Sequence, residues 1–137
     1  MININEYDIF LNNTSSLKQT SKDTANNEYM TECNKEVINF DKVVKEYCKK
    51  ICISPVGSID ALTVSEDGQT ATFIEFKNGF VDENTQYKLL KKIYDSLLIL
   101  ADITNKNISS TRQFLNYILV YKLSLIHISE PTRPEPI

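Results

Sequence analysis

Histidine is nearly absent from this chain: there is one in 137 residues, His127, inside a C-terminal run set apart below. That removes Ser-His-Asp and Cys-His nucleophile schemes and most zinc sites. Cysteine is sparse too. Cys33, Cys48 and Cys52 are odd in number and form no Cys-x-x-Cys pair, so they read as buried reduced thiols. No cationic-apolar signal opens the chain, and no apolar run reaches the length needed to span a bilayer. The expected location is the cytoplasm, with no membrane partner. Basic residues are not in excess: 15 Lys and Arg stand against 18 Asp and Glu, for a net charge of −3. A globally basic nucleic-acid surface is thereby excluded, and any attraction for phosphate must be local and metal-assisted. Lys45, Lys49 and Lys50, and likewise Lys88, Lys91 and Lys92, read as ordinary solvated helix faces.

Proline is almost confined to the end. Three of the four fall at Pro131, Pro134 and Pro136. The eleven residues 123–133, Leu-Ser-Leu-Ile-His-Ile-Ser-Glu-Pro-Thr-Arg, resemble the in-frame translation of a sequencing-library adapter. Residues 123–137 are therefore expected to be a non-native tail, with the natural chain continuing beyond Lys122. The tail carries Glu130, Glu135 and Arg133, net −1, which leaves −2 for the remainder. Residues 1–33 are expected to be a polar, partly mobile segment, with an apolar patch at residues 7–11 that docks on the core. One domain remains, residues 34–122, large enough for a single core.

Within it the chemistry concentrates in a hairpin. Residues 58–64 and 71–77 read as strands, with Asp67-Gly68 as a two-residue turn. Paired residue numbers then share one sum, so Asp60 lies opposite Glu75. Alternation puts Glu75 and Lys77 on the same face, beside Asp60. Two carboxylates and a lysine on one small patch suit a hard divalent cation and an activated water, which makes this a candidate phosphodiesterase site. A structural ion-pair cluster on a solvated sheet face is the competing reading.

The flanks read as helices. Val37, Phe40, Val44, Tyr47 and Cys48 recur at three- and four-residue spacing, which predicts a helix over 34–51. Leu89, Leu90, Ile93, Leu97, Leu100 and Ala101 predict a second over 84–103, capped by Asn84 or Thr85. Its last turns, 97–101, are apolar all round and are expected to be buried on more than one side. Residues 105–111 read as a loop, and 114–121 as a buried strand.

This order resembles the PD-(D/E)xK nuclease superfamily over residues 34–121. Asp60 and Glu75-Phe76-Lys77 match its Asp and Glu-x-Lys. Gln86, early in the second helix, is similar to the glutamine of the RecB-like branch, as Gly57-Ser58-Ile59-Asp60 is to that branch's Gly-x-x-Asp. The resemblance implies a restriction-endonuclease-like α/β core: helix, β-meander, helix, strand, with a mixed sheet flanked by helices. It implies a Mg²⁺- or Mn²⁺-dependent deoxyribonuclease acting in phage defence, restriction or recombination, as a homodimer or larger complex. Asp60, Glu75 and the backbone carbonyl of Phe76 would hold the metal, Lys77 would orient the attacking water or stabilise the phosphate, and Gln86 would position substrate or water. A first-helix glutamate, Glu36 or Glu46, would contribute. A catalytically inactive nuclease-fold module that binds DNA or protein is the alternative, and a mobile-element endonuclease is a third.

Overall fold

The structure is a computed structural model that describes residues 2–122; the tail and His127 lie outside the described residues. In chain order the elements are a 3₁₀ turn (Ile4–Glu6), α1 (Asp8–Leu11), β1 (Thr14–Ser16), α2 (Leu17–Thr20), β2 (Lys22–Asp23) and β3 (Glu28–Tyr29). There follow β4 (Glu36–Asn39), α3 (Phe40–Lys50), β5 (Ala61–Val64), β6 (Ala71–Asn78), α4 (Glu83–Ile103), α5 (Ile108–Phe114) and β7 (Leu115–Lys122). Five strands form one sheet in the order β1-β4-β5-β6-β7; β2 and β3 form a separate hairpin. The first four strands of the sheet pair antiparallel, and β7 pairs parallel to β6. A parallel neighbour needs a crossover, which α4 and α5 supply. This is an α/β fold with a mixed sheet flanked by helices.

Several of the expected elements change, among them the loop foreseen over 105–111, whose residues from Ile108 onward open α5. The helix foreseen over 34–51 is a strand in its first part. Val37 and Ile38 are both buried, one on each face, in a strand paired on both sides. Those β-branched neighbours favour strand, and a four-residue run is too short for periodicity to settle. Asn39 ends the strand and caps α3, its side chain accepting from Lys42 N at 3.1 Å. The boundary at residue 34 also dissolves. β1 is the outer neighbour of β4, and Ile2, Ile9 and Phe10 are buried in the main core, so the apolar patch docks as α1.

The hairpin keeps its register. Ala61 faces Ile74 and Val64 faces Ala71, so the pairing sum is the expected one. Its loop is longer than the expected two residues. Ser65 N donates to Thr70 O at 2.9 Å and Gly68 N to Ser65 O at 2.9 Å, enclosing four residues, 66–69. Gly68 closes the loop at φ +70°, where a side chain would be strained.

The larger core lies on one sheet face, where Ile38, Leu62 and Phe73 meet Phe40, Val43, Val44 and Cys48 of α3 and Ile99 and Leu100 of α4. The opposite face holds a smaller cluster, Val37, Ala61 and Ile74, with Leu17, Phe76 and Val120. β7 is the sheet edge rather than a buried strand: Tyr117 and Ile118 are exposed. The apolar end of α4 is likewise open on one side at Leu98, although Leu97, Ile99, Leu100 and Ala101 are buried. Cys48 is buried as expected; Cys33 and Cys52 are exposed, and all three are free. No described helix is long and apolar enough to cross a membrane.

Candidate functional site

Asp60 stands one residue before β5 begins, where the backbone ladder to β6 has stopped. Its carboxylate takes over the ladder's role: Oδ2 accepts from Phe76 N at 2.8 Å. Its carbonyl accepts from Phe40 N, the first residue of α3, at 3.1 Å. Both ends of the residue are therefore fixed. In an extended strand the N–H and C=O of one residue face the same edge. The Phe76 carbonyl thus also faces the gap ahead of β5, beside Asp60.

Glu75 projects on the helix-covered face, the face of Phe73, and is only 4 % exposed. A buried carboxylate needs partners for both oxygens. Oε2 has one, Lys92 Nζ of α4 at 2.9 Å. Oε1 is buried and has none. Tyr117 of β7 lies in register with Phe73, its ring edge-on to that of Phe73, and close enough to feel the Glu75 charge. Burial, and then that charge, push the phenol well above its ordinary range.

The two carboxylates interact strongly. Burial raises the Asp60 pKa most, and the charge and hydrogen bonding of Glu75 raise it further, up to about 8; Phe76 N–H and Lys92 oppose the shift but do not cancel it. Lys92 is affected from both sides. Burial disfavours its ammonium, but the Glu75 hydrogen bond and the charges of Glu75, Asp60 and Asp41 outweigh that and raise its pKa. With both acids ionised, the patch would hold more negative charge than Lys92 alone neutralises.

The expected site residues divide. Asp60 and Glu75 come together as the register required. Lys77 shares the Glu75 face of β6 by alternation, but it makes no ion pair among the described residues. Gln86 is exposed, in the first turns of α4, and its side chain makes no hydrogen bond among the described residues. Neither first-helix glutamate reaches the site. Glu36 is exposed on β4, and Glu46 pairs with Lys50 at 3.7 Å. The acid of α3 nearest the site is Asp41, whose Oδ1 accepts from Ser58 Oγ at 3.0 Å and whose other oxygen pairs with Lys45 at 2.9 Å.

Lys92 and Ser96 were missed by sequence reasoning. The signal was present: positions 89, 92, 93, 96, 97 and 100 form one helical face, and Lys92 and Ser96 are the polar residues in an otherwise apolar row. Buried Ser96 accepts from Ile59 N at 3.1 Å, tying α4 to the residue before Asp60.

As a metal centre the donor set is small but of the right kind. Among the described residues no group of three or more His, Cys, Asp or Glu side chains is placed to hold a metal ion. Two carboxylates and a carbonyl are hard oxygen donors suited to Mg²⁺ or Mn²⁺, with non-protein ligands completing the shell. The unpartnered Glu75 Oε1 fits that use. Comparison with protein-family models, curated proteins and solved structures gave no match.

Proposed function

We propose that the protein is a metal-dependent phosphodiesterase that hydrolyses DNA, a member of the PD-(D/E)xK type. One observation carries the reading. Asp60 and Glu75 crowd together at the open end of the β5–β6 pair with one buried carboxylate oxygen unpartnered. Such a pair is relieved by a shared proton or by a cation. A bound Mg²⁺ or Mn²⁺ would supply positive charge against the phosphate and acidify a water. The chain's own part is to hold the oxygens still. Phe76 N–H fixes Asp60, and Lys92 fixes Glu75. The order helix, hairpin, helix, strand is the one on which the resemblance rests, and the resemblance suggests DNA as substrate. The test is cleavage of plasmid and linear DNA with Mg²⁺ or Mn²⁺. Asp60→Ala and Glu75→Ala are expected to abolish cleavage while leaving the circular dichroism spectrum intact; wild-type activity in both variants would end this reading.

A second reading is supported by the Glu75–Lys92 pair itself. An ion pair that already neutralises the buried glutamate suits a non-catalytic module that binds DNA or protein. It predicts that Mn²⁺ leaves Asp60 and Glu75 unperturbed.

A further inference from the structure

The resemblance assigns the lysine of the site to Lys77. The contacts favour another. We propose that Lys92, reaching in from α4, is the positioning lysine of this site; the inference rests on the phosphodiesterase reading above. Lys92 Nζ holds Glu75 Oε2 at 2.9 Å and leaves the buried Oε1 without that contact. Glu75, Asp60 and Asp41 all act on its ammonium, so Lys92 is shared by the three acids. Lys77 makes no ion pair among the described residues.

The placement of Lys92 is built rather than incidental. Its side chain is 41 % exposed, so much of the stem is buried while the ammonium reaches the carboxylate. At Gly57, just before the Asp60 strand, an added Cβ would sit 3.5 Å from Lys92 Cγ, so this backbone runs close alongside the stem. One turn further along α4, Ser96 Oγ receives Ile59 N–H. The two contacts bind the same helix to Glu75 on one strand and to the residue before Asp60 on the other. A purely structural ion pair at this depth would be expected to satisfy both carboxylate oxygens. Here Lys92 satisfies only Oε2.

Lys92 therefore acts through Glu75. It fixes the rotamer that presents Oε1, and its loss lets the carboxylate turn. A counter-ion without a positioning role would become redundant once a divalent cation had neutralised the pair. That difference sets the experiment: DNA cleavage by wild type, Lys92→Met, Lys92→Arg and Lys77→Met at saturating Mn²⁺, with Mn²⁺ affinity measured by calorimetry and folding by circular dichroism. The expected result for Lys92→Met is a fall in kcat of roughly 10- to 100-fold that saturating Mn²⁺ does not restore. Mn²⁺ should bind it more tightly than wild type, because a competing positive charge has gone. Lys92→Arg should recover part of the rate, and Lys77→Met should lose less than about threefold, well below that range. Wild-type kcat in Lys92→Met at saturating Mn²⁺ overturns the inference alone. So does a loss of about 100-fold in Lys77→Met, a result that can be read even if Lys92→Met does not fold. Wild-type protein that neither binds Mn²⁺ nor cleaves overturns the site reading and this inference together.

Discussion

Replacing Asp60 by asparagine should stabilise the metal-free protein at high pH. In the folded chain the Asp60 carboxyl is raised from 3.8 to about 8, by burial first and by Glu75 second. Between those values the folded state holds a proton that the unfolded state has released. The stability contributed by Asp60 is therefore greatest below about pH 4, falls as pH rises through this window and levels off above 8. A shift of about four units corresponds to a ceiling of roughly 5–6 kcal/mol. Asp60 is not fully buried, and Lys92 stands nearby, so about 2–3 kcal/mol is the working expectation. Asparagine keeps an oxygen for Phe76 N–H and cannot ionise, so it removes the cost without removing the bond. The assay is urea unfolding in chelator at pH 5 and pH 9. Wild type should lose stability between the two, and Asp60→Asn should show a flatter profile. At pH 9 the variant's midpoint should lie higher by roughly 1–2 M urea at unchanged slope. Millimolar Mn²⁺ should then rescue wild type at pH 9 but not the variant, since only the native carboxylate pair gains a ligand. Equal pH profiles for the two proteins in chelator would refute the reasoning, because the carboxylates would then not be in conflict.

Three other perturbations test the frame that holds the site. Ser96→Ala leaves the buried Ile59 N–H without its acceptor; a loss of about 1–3 kcal/mol in urea unfolding is expected, along with weaker Mn²⁺ binding as Asp60 shifts. Phe73→Ala empties the centre of the main core between Phe40 and Tyr117, and should cost about 3–5 kcal/mol, read as a drop in Tm. Gly68→Ala forces a side chain into φ +70° at the hairpin loop and should cost about 1–2 kcal/mol, with DNA cleavage per folded molecule unchanged because the loop lies at the far end of β5 and β6 from Asp60 and Glu75.

The carboxylate pair was legible because a hairpin register is arithmetic. Once two strands and their midpoint are identified, Asp60 can only face Glu75, and lengthening the loop symmetrically from two residues to four does not alter the sum. α4 was legible for a similar reason: its apolar row is long enough to fix both period and phase. Residues 36–39 were not. Val37 and Phe40 keep helical spacing across a strand–helix junction, and only the partners on either side, β1 and β5, identify the first half as a strand. The lysine that pairs with Glu75 was hidden by the same limit. Alternation along β6 puts Lys77 on the Glu75 face, but which ammonium reaches the carboxylate depends on how α4 lies across the sheet. That is a tertiary fact, signalled in the sequence only by a lysine and a serine on an apolar face.

The division of labour between sheet and helix also sets when the site comes into being. The hairpin that carries both acids is complete by Asn78, and its pairing is local. Lys92 lies 17 residues beyond Glu75, and Ser96 lies 37 beyond Ile59. A chain emerging from synthesis therefore presents two acids in an open hairpin well before their cation arrives. Only when α4 settles on the sheet are the carboxylates drawn out of water and Glu75 fixed. A slip of α4 by a single residue would displace it by about 1.5 Å and turn it by about 100°, breaking both anchors at once. The two anchors thus stand or fall together, and a chain in which α4 has not docked carries the acids without either.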